Sequence, residues 1–162
     1  MSIKNKNQTK DLSVGDKVPC LKELISEDQQ HIIDQYQGMN IVLYFYPKDN
    51  TPGCTKQATE FTLHHAAFEK LNTAVIGVSR DSLNSHEKFK NKHDLSIALI
   101  SDPDEKLCHA FGVIREKNSY GRIVIGIQRS TFLIDADGTI QQAWRNIKVP
   151  NHVQKVLDAL RP

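Results

Sequence analysis

The chain predicts an α/β protein with a mixed central sheet and helices on both faces, and three observations point there. Continuous apolar runs rich in β-branched and aromatic residues occur at Ile41–Tyr46, Ala74–Ser79 and Ile97–Ile100, each followed by a helix-like stretch. Two further strand-like runs flank an Asp137-Gly138 turn signal, which reads as an antiparallel hairpin. The segment Asn151–Leu160 then closes the chain as an amphipathic helix. Strands alternating with helices, then a hairpin, then a helix imply a mixed sheet covered on both sides.

Each element has its own local reason. Ile41–Tyr46 is apolar at every position and stops at Pro47, as a strand buried on both faces should. Lys48-Asp-Asn-Thr-Pro-Gly53 is a turn, and from Cys54 to Leu71 the residues Ala58, Phe61, His65 and Phe68 recur at helical spacing. Ala74–Ser79 is a second buried strand; Ser82–His93 is a polar helix expected to turn Leu83 and Phe89 inward. Ile97–Ile100 is a third strand. A short helix spans Asp104–Phe111, with Ser101 or Asp102 near its start and Gly112 just past its end. Ile123–Ile127 and Ser130–Ile134 are strand-like, and Thr139–Trp144 pairs back across the turn. In the last helix Val153, Val156, Leu157 and Leu160 share one side.

Length and charge narrow the function. A chain of 162 residues suits one domain, expected over residues 14–162 behind a flexible tail at 1–13. Twenty-one basic residues against 19 acidic ones give a net charge of +2, too even for a nucleic-acid footprint. No apolar run approaches the roughly 20 residues that span a bilayer, and no apolar stretch follows the three N-terminal lysines as in a secretory signal. The three cysteines, Cys20, Cys54 and Cys108, are scattered and odd in number, unlike a disulfide-stapled secreted domain. A reducing, cytoplasmic location is expected.

Cys54 is the cysteine placed for chemistry. It follows a Pro-Gly turn at the junction of a buried strand and a helix, beyond the carboxyl end of the strand where ligands of open α/β sheets gather. The first N–H groups of a helix lack intrahelical partners and carry partial positive charge, which favours a thiolate there.

The stretch Tyr46-Pro-Lys-Asp-Asn-Thr-Pro-Gly-Cys-Thr55 resembles the peroxidatic motif of the peroxiredoxins, P-x-x-x-T-x-x-C. Its T-P-G-C-T form is similar to the bacterioferritin-comigratory-protein, or peroxiredoxin Q, branch. Ser101-Asp102-Pro103, Phe111-Gly112-Val113, Gly126 through Asp135 and Asp137-Gly138 fit the same branch in order and spacing, so the resemblance runs from about Val14 to Leu160. It implies a thioredoxin-like fold with an N-terminal hairpin, and thiol-dependent reduction of hydrogen peroxide or organic hydroperoxides. It implies Cys54 as nucleophile, Thr51 offering its hydroxyl to peroxide and thiolate, Pro47 shielding the thiolate from water, and Arg129 as the active-site arginine. The backbone N–H groups of Gly53 and Cys54 would bind peroxide. Such donors suit a reaction that builds charge on sulfur and on the leaving oxygen. No cofactor or metal is implied. It further implies a peroxide and an external thiol, thioredoxin or glutaredoxin/glutathione, as partners, and a monomer or weak dimer.

One departure matters. Many members of the branch carry a resolving cysteine five residues after the nucleophile; here that residue is Thr59, and Phe89–Lys92, the other familiar location, has no cysteine. A one-cysteine cycle is therefore expected, in which an external thiol resolves Cys54. The alternatives are resolution by Cys108 or Cys20, or a peroxide sensor that does not turn over. Cys108, between Leu107 and Phe111, reads as a core filler.

Other residues invite chemistry with less support. The pairs His64/His65 and His86/His93 lack metal-ligand spacing. Thr51 stands where a thioredoxin-type C-x-x-C would have its first cysteine, so no local dithiol forms. No phosphate-binding glycine motif occurs. Glu60 reads as a surface residue of its helix, and Trp144 packs on either the core or the rim of the site.

Overall fold

The computed structural model describes residues 11–162. Its main sheet is built from β1 (Asn40–Phe45), β2 (Thr73–Ser79), β3 (Ala98–Ser101), β6 (Ser130–Ile134) and β7 (Ile140–Trp144), in the spatial order β3-β2-β1-β6-β7. β1, β2 and β3 run parallel, whereas β6 is antiparallel to both β1 and β7. β4 (Ile114–Ser119) and β5 (Arg122–Ile127) form a separate two-stranded hairpin. Six α-helices accompany the described strands: α1 (Gln30–Asp34), α2 (Pro52–Leu63), α3 (His65–Lys70), α4 (Leu83–His93), α5 (Lys106–Ala110) and α6 (His152–Leu160).

Alternation along the strands splits the interior in two. Val42, Tyr44 and Tyr46 face one side with Ala58, Phe61, Phe68, Phe89, Val153 and Val156, so α2, α3, α4 and α6 cover that face. Leu43 and Phe45 face the other side with Ile76, Ile100, Leu107, Phe111 and Phe132, under α5 and the 21–34 segment. This is the expected two-faced arrangement. Gly77 has a specific job in it: a Cβ there would lie 2.8 Å from Cζ of Tyr44, so only glycine lets that ring lie across β2.

Several elements differ from the sequence reading, each for a local reason. The helix expected from Cys54 to Leu71 begins at Pro52, a residue suited to a first helical turn, and breaks at His64 into α2 and α3. Leu83 is 44% exposed rather than inward, because α4 begins there behind the Ser82 cap, whose hydroxyl accepts from the Ser85 N–H. Phe89 is buried as expected. β4 has no apolar alternation, with Glu116, Lys117 and Asn118 all exposed, and only its pairing with β5 makes it a strand. α5 is shorter than expected, and its start is held by the buried Asp102 carboxylate, which accepts from the N–H groups of Leu107 and Cys108 at 3.1 and 2.8 Å.

The N-terminal region also differs. In place of the expected hairpin, the described residues make a single antiparallel bridge, Lys17 to Thr139, followed by short 3-10 turns from Leu21 and α1. Of the tail expected at 1–13, residues 1–10 lie outside the described residues. Asp11 pairs with Arg115, and the Leu12 carbonyl accepts from Arg145, so residues 11 and 12 are anchored rather than free.

His152 opens α6 in the buried interior, with Nε2 2.9 Å from the Thr131 hydroxyl and its ring edge-on to Trp144. Burial, with the nearby charges of Lys155 and Arg129, pushes it down to about 4. The unfolded chain therefore binds this proton more readily than the folded one, so the stabilisation is complete above about pH 6.5 and drains as the pH falls toward 4. Urea titrations at a series of pH values should show the parent losing about 3 kcal/mol relative to a His152→Gln variant over that window. A constant difference between the two proteins would contradict this assignment.

Candidate active site

The site forms where β1 runs out. Beyond Phe45 the backbone stays in the sheet for one more residue, with the Tyr46 N–H donating to the Val78 carbonyl, and Pro47 then ends the pairing. The turn that follows holds Asn50 at φ 63° and extends Thr51 as the N-cap of α2. Pro52 takes the first helical position, which leaves Gly53 and Cys54 as the first N–H donors of the helix. Cys54 is only 2% exposed, its sulfur packed into the core face that Tyr44 and Phe61 share.

Arg129 comes from the connection between β5 and β6. The antiparallel pairing of Phe45 with Ser130 sets that connection against the end of β1. Its Nη2 donates to Cys54 Sγ at 3.3 Å and its Nη1 donates to Gln57 Oε1 at 2.7 Å. A Cβ on Gly53 would come within 3.3 Å of the same Nη2, so glycine at 53 admits the guanidinium. Its charge, the α2 N-terminus and the sulfur thus meet at one point, an arrangement complementary to a thiolate. Thr51 Oγ1 donates its hydrogen to the Lys48 carbonyl at 2.8 Å, so the hydroxyl presents an accepting lone pair rather than the donor expected from sequence.

A cleft of about 420 Å³ opens beside Arg129, lined by Pro47, Lys117, Gln128, Asn146 and Ile147 among others. Lys117, though largely exposed, donates to the Ile127 carbonyl at 2.7 Å; partial desolvation of its ammonium, with the charges of Arg129 and Arg80, holds it below the ordinary lysine value. Behind the turn, Asp49 accepts from the Tyr46 hydroxyl at 2.6 Å and from Ser85 Oγ at 2.8 Å, and lies 2.7 Å from His86 Nδ1. Burial alone would push the Asp49 carboxyl up, but the hydrogen bonds from His86 and Tyr46 outweigh it and hold it below the usual carboxylate value.

The other cysteines lie elsewhere. Cys108 is fully buried on the opposite face of the sheet from Cys54, and burial together with the Asp102 carboxylate pushes its thiol up. Cys20 is exposed and lines a hollow with Met39, Ile41 and Ile134, at the amino end of β1. Cys54 lies past the carboxyl end, and a six-residue strand separates those ends by roughly 16 Å. Thr59, in the position of the absent resolving cysteine, turns its hydroxyl back to the Thr55 and Lys56 carbonyls at 2.9 Å.

Among the described residues, no group of three His, Cys, Asp or Glu side chains is arranged to hold a metal ion, and no helix is long and apolar enough to cross a membrane. His65 contacts Ser96 and Glu69, and His93 contacts Asn50. Trp144 packs against the core face that holds Cys54. The sequence assigns no role to Gln57 or Asp49, and it offers His86 only as half of a pair with His93. Gln57 was within reach, since a residue three positions after Cys54 shares its helix face. Asp49 and His86 carry no local signal, because their significance lies in each other.

The chain matches the AhpC/TSA family over residues 14–143. It is 47% identical over 137 residues to Peroxiredoxin Bcp of Xanthomonas campestris pv. campestris, covering 85% of this chain and 86% of that protein. To Peroxiredoxin Bcp of Bacillus subtilis it is 43% identical over 150 residues, covering 93% and 96%. Among solved structures, a Xylella fastidiosa PrxQ mutant superposes with a TM-score of 0.82 at 41% identity, covering 94% of this chain and 97% of that one. A structure of the Xanthomonas campestris bacterioferritin comigratory protein, described in terms of its alkyl peroxide reduction activity, superposes with a TM-score of 0.74 at 48% identity, covering 79% and 82%. With the thioredoxin-like sheet and a buried cysteine at the head of α2, these likenesses lead to one conclusion: the chain belongs to the AhpC/TSA family, within its Bcp/PrxQ peroxiredoxins, and is a thiol peroxidase.

Proposed function

We propose that Cys54 is the peroxidatic nucleophile of a one-cysteine cycle that reduces hydrogen peroxide and organic hydroperoxides and is reset by an external thiol. The observation that carries this reading is the contact of Arg129 with the Cys54 sulfur at the start of α2, far from both other cysteines. The alkyl peroxide reduction named for the Xanthomonas campestris protein supports organic hydroperoxides as substrates.

In the first half-reaction the Cys54 thiolate attacks one peroxide oxygen. An S–O bond forms as the O–O bond breaks, and the leaving oxygen departs as water or alcohol after taking a proton. Arg129 and the N–H groups of Gly53 and Cys54 stabilise the charge that develops, while the Thr51 lone pair orients the peroxide by accepting its O–H. Gln57 holds the guanidinium in line by accepting from Nη1 through Oε1, and its buried Nε2 has no partner among the described residues. Pro47, in the cleft wall, keeps water from the sulfur.

In the second half-reaction an external thiol attacks the Cys54 sulfenic acid, releasing water and leaving a mixed disulfide, which a further thiol reduces. Thioredoxin or glutaredoxin/glutathione would serve. The positions of Cys108 and Cys20 disfavour an internal route: the first is sealed on the far face of the sheet, the second lies at its far end.

One equivalent of peroxide, added without thiol, should raise the protein mass by one oxygen located on Cys54. A loss of two hydrogens with a linked Cys54–Cys108 or Cys54–Cys20 peptide would instead establish a two-cysteine cycle. Stoichiometric oxidation with no turnover under any of the reductants would identify a sensor. Replacing Arg129 by Lys keeps the charge but loses the fork that reaches Sγ and Gln57 together, so kcat/KM for peroxide should fall about 100-fold while the fold is retained. Stopped-flow peroxide reduction checks this, and an unchanged rate would remove Arg129 from the site.

A further inference from the structure

Asp49 lies in the turn that carries Pro47 and Thr51, and four hydrogen bonds converge on it. Its carboxylate accepts from Tyr46 at 2.6 Å and Ser85 at 2.8 Å and meets His86 Nδ1 at 2.7 Å, while its own N–H donates to Asp81 Oδ2 at 2.8 Å. Asp81 is fixed in turn by Ser79 Oγ at 2.7 Å, at the end of β2. The far nitrogen of His86 lies 3.0 Å from the Ile100 carbonyl, in β3. The ring of His86 thus links the Asp49 carboxylate in the turn to the Ile100 carbonyl in β3. Asp49, His86 and Tyr46 are all buried.

This is an expensive way to hold a turn. Burying a carboxylate against an imidazole carries a desolvation penalty that its attraction only partly offsets, so such a pair is weak evidence for stability. It does select one conformation, because the turn must be in register for all four bonds to form. The reaction also imposes a conflict. Cys54 is 2% exposed beside Arg129, the state suited to peroxide, yet a thiol sulfur must later reach it in line. Resetting the enzyme requires the turn and the start of α2 to open, and opening the turn requires these bonds to break.

We propose that Asp49 and His86 are a positioning pair that clasps the peroxidatic turn in its peroxide-reactive shape and sets how readily Cys54 is released to its reductant. This rests on Cys54 being the nucleophile. The pair acts through the turn and touches neither peroxide nor sulfur. Weakening it should therefore move the two half-reactions in opposite directions, which a contribution to overall stability would not do.

The test compares the parent with Asp49→Asn and His86→Gln, well below their melting temperatures. Asp49→Asn keeps the shape and one acceptor oxygen, so it remains informative if the His86 variant fails to fold. Three rates are measured: kcat/KM for hydrogen peroxide, kcat/KM for dithiothreitol as the reducing probe, and iodoacetamide alkylation of reduced Cys54. The expected result is a fall of about 10- to 100-fold in the peroxide constant. Alkylation and the dithiothreitol constant should rise, each about tenfold, as the open population grows. The double variant should be no worse than the more affected single one, as for residues that act as a unit. Unchanged rates with only a lower Tm, or all three rates falling together, would overturn the clasp. Peroxide reduction that persists in Cys54→Ser would instead overturn the reading of Cys54, and it is distinguishable because it is measured with Asp49 and His86 intact.

Discussion

A thiolate is easiest to hold where positive charge is supplied by groups that cannot be neutralised, and this fold assembles two of them around one sulfur. The α2 N-terminus provides backbone donors, and Arg129 provides a guanidinium that stays charged. Cys54 lies within the first turn of α2, where dipole effects act, and the part-buried Arg129 contacts its sulfur directly. Burial of Cys54 on the core face keeps water from competing. The sheet order follows the same need: β6 must run antiparallel beside β1 so that Arg129, just ahead of Ser130, arrives at the carboxyl end of β1 where α2 begins.

That requirement also explains the polar content of the interior. The carboxyl ends of β1, β2 and β3 gather Tyr46, Ser79 and Ser101, with Asp49, Asp81 and His86 packed above them. Each is hydrogen-bonded, as the large majority of buried polar groups are. The aliphatic and aromatic core below provides the cohesion, and the polar tier orders the turn. Cys108 belongs to the other face, where the Asp102 carboxylate that caps α5 also discourages its ionisation. One sheet thus places two cysteines in different surroundings, Cys54 beside a guanidinium and Cys108 beside a carboxylate.

The elements legible in the sequence were those whose burial repeats along the chain. β1 and β2, apolar between their ends, and α6, with its single apolar side, matched closely because each reports its surroundings residue by residue. The hairpin across Asp137-Gly138 was legible from its turn chemistry, with Gly138 at φ 85°. β4 was not, because a half-exposed strand paired only with one neighbour has no periodic signature. The break at His64 and the short span of α5 were equally silent. Both depend on which neighbours receive the last carbonyls and the first N–H groups.

For the site, the residues of the local motif stood in the sequence itself: Pro47, Thr51, Gly53 and Cys54 fall within one turn and the start of one helix, where chain geometry alone brings them together. Arg129 entered only through resemblance, since it is 75 positions from Cys54 and meets it through strand pairing. The direction of the Thr51 hydroxyl, the grip of Gln57 on Arg129, the pairing of Asp49 with His86 and the separation of Cys108 from Cys54 were decided by tertiary structure. The physical reason is common to all four. A hydrogen bond or a burial environment is a property of two surfaces, and the sequence carries those surfaces one at a time.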